Sequence, residues 1–132
     1  MSARITVALD VMGGDQAPRM VLQGAEKALV RYPDAQFLLF GDESKIAPLL
    51  AKMPKLTRRS TIHHTDELVT NEAKPSIALR AGRRSSMRLA IDAVAEGKAD
   101  CVVSAGNTGA LMAMARFALK MQIGRASCRE RV

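Results

Sequence analysis

From residue 4 the chain alternates Ile5, Val7 and Leu9 with the smaller Thr6 and Ala8, a period of two that predicts a strand. Asp10 closes it, and Met12-Gly13-Gly14-Asp15 reads as a turn. Pro18 stands where a first helical turn tolerates proline. Val21, Ala25, Ala28, Leu29 and Tyr32 then share one helical face up to the break at Pro33. Phe37 to Phe40 is a short apolar strand closed by Gly41, and Asp42 is placed to cap a helix with Ile46, Leu49, Leu50 and Met53 on one side. Ser60 to His64 reads as a third strand, Thr65 to Pro75 as polar loop, and Ser76 to Arg80 as a short helical turn. Ser85 opens an amphipathic helix that turns Met87, Ala90, Ile91 and Val94 inward, with Gly97 as its stop. Ala99 to Val103 is a near-continuous apolar strand, the kind expected where both sheet faces are covered.

Strand and helix alternate throughout, which predicts an α/β fold with a doubly wound, mainly parallel sheet and helices on both faces. The last helix, Ala110 to Met121, carries only Arg116 and Lys120 as charges. A surface helix of a finished domain shows a polar face, and this one shows almost none. Its apolar sides call for partners in a larger structure or at a subunit interface, so the fold is expected to be incomplete, or truncated.

With 132 residues the chain has room for one compact domain, and 48% hydrophobic content is enough for a core. Tyr32, Phe37, Phe40 and Phe117 are the only aromatics, which predicts an aliphatic, Met-rich core and argues against a stacking platform for single-stranded nucleic acid. The net charge is +7, but two of those units fall in the last twelve residues, through Arg125, Arg129 and Arg131 against Glu130. The remainder concentrates around Lys52 to Arg59 and Arg80 to Arg88. Such a surface suits nucleic acid, anionic headgroups or an acidic protein, and equally a solvated face. Cys101 and Cys128 fit no metal or redox spacing, and Cys101 is expected to pack as a small hydrophobe. The adjacent His63 and His64 point to opposite sides of a strand and make a poor metal pair. No metal and no cofactor are expected. Without a membrane-length apolar stretch or a signal-peptide pattern, the expected location is the cytoplasm.

Two loops follow strands, where ligands of doubly wound sheets collect. Ser104-Ala105-Gly106-Asn107-Thr108-Gly109 is the better anion candidate. Its small residues leave backbone N–H groups uncovered and lead into a helix start, whose dipole favours a negative ligand. Ser104, Asn107 and Thr108 offer side-chain donors. Equally, Asn107 or Thr108 serves only to cap the helix while the glycines turn the chain. In the loop Asp10 to Pro18, Gly13 and Gly14 permit positive φ or close backbone approach. There Asp15 reads as a helix cap, and Asp10 as the better functional residue, orienting a donor or substrate group. Neither loop fits the GxxxxGK[ST] or GxGxxG pattern, which lowers the case for an ATPase or a dehydrogenase. Arg80, Arg83 and Arg84, beside the serine-capped helix, suit a phosphate or an acidic partner, or are simply solvated.

Four stretches in this order resemble the phosphate acyltransferases of bacterial phospholipid synthesis. They are Val7 to Asp15 with Ala17-Pro18; Gly41-Asp42-Glu43; Pro75 to Arg80 with Ser85-Ser86-Met87; and Val103 to Met112. The resemblance implies a Rossmann-like transferase of lipid metabolism, homodimeric when full length, cytoplasmic, and peripheral at the inner face of the membrane. It implies acyl carrier protein and inorganic phosphate as partners and no nucleic acid. A phosphate oxygen would attack the thioester carbonyl, so the site must hold and align phosphate and stabilise an oxyanion. Asp10 and Asn107 are then the catalytic candidates, and Gly13, Gly14, Ser104, Ala105, Gly106, Asn107, Thr108, Gly109 and Arg80 the phosphate-binding ones.

The likeness runs over residues 1–120, and residues 121–132 read as a foreign, disordered tail. On that reading the chain is the amino-terminal fragment of the enzyme and inactive by itself. A phosphate acetyl- or butyryltransferase acting on coenzyme A thioesters is the nearer alternative, and a basic α/β binding module the one of another class.

Overall fold

The computed structural model describes residues 4–70 and 72–130, with side chains as far as residue 119. Its centre is a four-stranded sheet built from β1 (Thr6–Asp10), β2 (Gln36–Gly41), β3 (Ser60–His64) and β4 (Cys101–Val103). The order across the sheet is β3-β2-β1-β4, and every pairing is parallel. The helices are α1 (Arg19–Arg31), α2 (Glu43–Leu50), α3 (Pro54–Arg58), α4 (Pro75–Ala81), α5 (Ser86–Ala95) and α6 (Thr108–Glu130). The chain is thus α/β and Rossmann-like, as the alternation predicts.

Side-chain alternation along the strands divides the core between the two faces. Leu9, Phe37 and Leu39 pack with Leu22, Ala25 and Leu29 of α1 and with Ile46, Leu50 and Leu56 of α2 and α3. The alternate positions Ala8 and Phe40 pack with Ala90 and Ala93 of α5 on the other face. A third cluster, of Ala78, Met87, Ile91, Ala110 and Met114, joins α4, α5 and α6. Arg88 strengthens that junction, pairing with Asp92 at 3.0 Å while its guanidinium lies 5.3 Å from the centre of the Phe117 ring.

Local signals set the helix ends. The Asp42 carboxylate accepts from Ser44 N and caps α2, and the Ser85 hydroxyl accepts from Arg88 N and caps α5. Gly97, at φ +79°, ends the run after α5 in a conformation that disfavours a side chain. His63 stacks on Phe40 at 4.9 Å, while the exposed His64 accepts from Glu43 N, so the pair does face opposite ways.

Four expectations need correction. Tyr32 is 59% exposed and Leu22 takes the buried place, because α1 ends at Arg31 and Tyr32 leaves helical geometry at φ −128°, ψ 77°. Met53 does not continue α2 but precedes the additional helix α3, which begins on Pro54. The cap position of α1 is held by Pro18 rather than Asp15. Cys101 and Val103 are exposed, since β4 is an edge strand and α1 covers β1 and β2 but stops short of it. The uncovered strip is an apolar groove of about 500 Å³ between α1 and β4, lined by Val7, Val21, Ala28 and Val103 among others. Met112 and Phe117 of α6 are also exposed, at 68% and 60%, in keeping with a helix that lacks a polar face. The backbone of residues 121–130, most of the expected tail, continues α6, while the side chains of residues 120–132 lie outside the described residues.

Replacing Leu22 by Ala should cost roughly 2–5 kcal/mol of unfolding free energy, as for other fully buried leucines. Tyr32→Ala should stay within about 0.5 kcal/mol of wild type. Urea denaturation of the two variants checks which residue belongs to the core.

Candidate functional site

The strand order reverses beside β1: β2 and β3 extend the sheet on one side, and β4 lies on the other. The crevice beyond the carboxyl ends of two such strands is where open α/β sheets take ligands. Leu9 is in register with Val103, so Asp10 at the end of β1 and Ser104 just past β4 emerge side by side. The sequence pattern therefore delivers a carboxyl group and a hydroxyl to the same point.

Asp10 is only 2% exposed. One carboxylate oxygen, Oδ1, accepts from the Ser86 hydroxyl at 2.5 Å, and Oδ2 accepts from the Ser104 hydroxyl at 2.8 Å. Ser104 Oγ in turn accepts from Gly106 N at 3.1 Å, which folds the loop back over its own first residue. Burial is the largest influence on Asp10 and pushes its carboxyl above the ordinary value. Hydrogen bonds from Ser86 and Ser104 and from the backbone of Met12 and Gly13 pull the other way.

The glycines do two different jobs here. A methyl group on Gly13 would stand 2.6 Å from Asp10 Oδ2 and 3.0 Å from both Gly106 N and Ser104 Oγ, so this position must remain bare for the two loops to meet. Gly14 sits at φ +100°, where a side chain is strained, and its backbone lies against Ala105.

Asn107 caps α6. Its Oδ1 accepts from Ala110 N at 3.1 Å, and its Nδ2 donates to Thr70 O at 3.0 Å and Ala73 O at 2.8 Å. Of the two readings left open for this residue, the geometry supplies the capping one and adds an anchor to the segment before α4. With Ala110 N so engaged, Thr108 and Gly109 contribute the helix-start N–H groups nearest the loop. Gly109 also lies against Pro75.

The structure thus gathers Asp10, Gly13, Gly14, Ser104, Ala105 and Gly106 in one place, with Asn107, Thr108 and Gly109 leading out of it into α6. Arg80 is exposed in the last turn of α4. Among the described contacts it does not join the Asp10 cluster. Ser86 is a full member that the sequence reading treated only as part of a helix start. A signal existed in the serine doublet, because Ser85 alone suffices as the cap and a second serine ahead of the apolar Met87 is superfluous for that purpose. The Thr70 and Ala73 carbonyls left no signal, being backbone groups. Among the described residues no group of three or more His, Cys, Asp or Glu is arranged to hold a metal. Nor is any helix there long and apolar enough to cross a membrane.

Comparison with known proteins gives a family match and many close relatives. Residues 5–126 match the family described as fatty acid synthesis protein. A phosphate acyltransferase of Rhodospirillum centenum is 62% identical over 120 residues, covering 91% of this chain and 34% of the relative. One of Paramagnetospirillum magneticum is 55% identical over 124 residues, covering 94% and 35%. One of Azorhizobium caulinodans is 57% identical over 125 residues, with the same coverage of 94% and 35%. The chain spans about a third of the length of these curated relatives.

Two outcomes test the geometry. Gly13→Ala should lose about 1–3 kcal/mol in urea unfolding, since Gly106 N is a backbone atom with little freedom to retreat. The raised carboxyl of Asp10 means that the folded chain keeps its proton to a higher pH than the unfolded chain, where aspartate titrates near 3.9. Stability from this group is therefore fully present below that value and is lost as pH rises through the folded one. The stability of wild type relative to Asp10→Asn should fall as pH is raised from about 4. A rise instead would show that the hydrogen bonds outweigh burial.

Proposed function

Because the chain belongs to the fatty acid synthesis protein family, whose curated relatives are named phosphate acyltransferase, we propose that it forms the phosphate-holding part of such an enzyme. The full-length protein takes a fatty acyl group from acyl carrier protein to inorganic phosphate, and the acyl phosphate feeds phospholipid synthesis. The observation that carries this reading is the position of the Ser104–Gly109 loop. It opens from the carboxyl end of β4, beside Asp10, and runs straight into the start of α6.

Each part of that position has a use in the reaction. A phosphate bound over the loop meets the N–H groups at the start of α6 and their partial positive charge. One phosphate oxygen attacks the thioester carbonyl carbon. The C–O bond forms, the C–S bond breaks, and the carrier's thiolate leaves to take up a proton. The acceptor is already an anion and need not lose a proton before it attacks, so alignment and relief of the developing oxyanion are the main demands on the protein. Ser104, whose hydroxyl proton goes to Asp10, fixes the first turn of the loop, and the bare Gly13 and Gly106 let the two loops close against each other beneath it.

The same reading gives the outer surface two roles. Arg80, Arg83 and Arg84 are exposed and form the docking face for an acidic carrier protein. The exposed apolar residues of α6 belong to contacts completed in a homodimer that works in the cytoplasm at the inner face of the membrane.

A family-length version of this sequence should form acyl phosphate from acyl carrier protein thioester and phosphate. In that protein Ser104→Ala should reduce kcat/KM roughly ten- to hundredfold, the worth of a hydrogen bond to a charged group. Parallel assays with coenzyme A thioesters decide the donor. A clear preference for coenzyme A would defeat the carrier-protein assignment.

A further inference from the structure

Ser86 has a position that helix capping does not explain. It is the first residue of α5, and its neighbour Ser85 already caps that helix by accepting from Arg88 N. The Ser86 backbone N–H donates to Glu67 O. Its side chain is 1% exposed, and the hydroxyl donates to Asp10 Oδ1 across 76 residues of sequence. An alanine would satisfy both the helix and the packing at this place. The hydroxyl is there for Asp10.

We propose that Ser86 is a positioning residue of the phosphate crevice, holding Asp10 in the orientation that aims the Ser104 hydroxyl and, through it, the Gly106 N–H. The bonds run in one direction. Ser86 donates to one oxygen of the carboxylate, Ser104 donates to the other, and Gly106 N–H donates to Ser104 Oγ. An aspartate side chain rotates freely about its last torsion unless both oxygens are held. Two hydroxyls from opposite sides fix that plane, one from the start of α5 and one from the end of β4. Without Ser86 the carboxylate turns toward its remaining donors, and Ser104 and the loop that folds over it turn as well.

Among the described contacts, no charged side chain of the surrounding elements hydrogen-bonds to Asp10. Arg88 pairs with Asp92, and Lys98 pairs with Glu96. Asp42 accepts from Ser44, and Asp100 accepts from Thr6 N. Asp15 is the other carboxylate of Asp10's own loop. Ser86 and Ser104 are thus the side chains that hydrogen-bond to Asp10, and of the two, Ser86 stands on α5 and not on the loop that follows β4. Its influence on the anion is indirect, by way of Asp10.

The part of this inference that concerns phosphate rests on the function proposed above; the chain of hydrogen bonds does not. Both are read in one experiment on the isotopically labelled protein, by following the Gly106 amide resonance and then titrating inorganic phosphate. Ser86→Ala should shift the Gly106 amide with no ligand present and weaken phosphate binding by roughly two- to tenfold, because the anion must then re-form a displaced loop. Ser86→Thr, which keeps the hydroxyl, should restore both. Ser86→Cys keeps the shape with a weaker donor and should fall between, which covers the case of an alanine variant that does not fold. A Gly106 amide unmoved in the folded Ala and Cys variants would overturn the proposal, as would a folded Thr variant that behaves like Ala. Wild-type protein whose Ser104–Gly109 amides ignore phosphate would instead bring down the functional reading, while the ligand-free Gly106 shift still decides the role of Ser86.

Discussion

A carboxyl group sealed from water has to be given donors, and in this protein that requirement organises everything near the crevice. Asp10 draws hydroxyls from two segments that lie 76 and 94 residues away in sequence, together with backbone N–H groups of its own turn. Satisfying it brings the end of β1, the start of α5 and the loop after β4 to one point. The close approach of Gly13 to Gly106 is the steric counterpart of that convergence, since the two loops can share one carboxylate only if neither backbone carries a side chain between them.

Much of the fold was legible because its signals are local. Period-two alternation marks β1, and helical spacing marks α2 and α5. Asp42, Ser85 and Gly97 terminate elements through bonds or torsions within a few residues. The failures occur where a local pattern depends on something distant. Tyr32 continues the spacing of α1 in sequence but not in space, because the helix ends one residue before it. The apolar run at β4 reads as doubly covered, yet whether a helix lies over Cys101 and Val103 depends on elements beyond the strand itself.

The candidate site divides in the same way. Glycines between a strand and a helix announce a crevice loop, and Ser104 and Asp10 could be singled out as strand-end polar residues. What the sequence does not show is that Asn107, besides capping α6, ties the loop to the segment before α4 through the Thr70 and Ala73 carbonyls. Ser86 was hidden for a related reason. A serine at a helix start has an ordinary explanation, and although the doublet makes the second one superfluous as a cap, only the three-dimensional arrangement shows that its hydroxyl meets a carboxylate 76 residues away.

The Arg88 clasp adds a mechanical property to this arrangement. It fastens α5 to α6 by an ion pair on one helix and a ring on the other. The amino ends of those same helices carry, respectively, Ser86 and the loop of Ser104. The two hydroxyls that grip opposite oxygens of Asp10 therefore belong to two helix starts whose bodies are packed together, through Met87 and Ile91 on α5 and Ala110 and Met114 on α6, with the Arg88–Phe117 contact beside them.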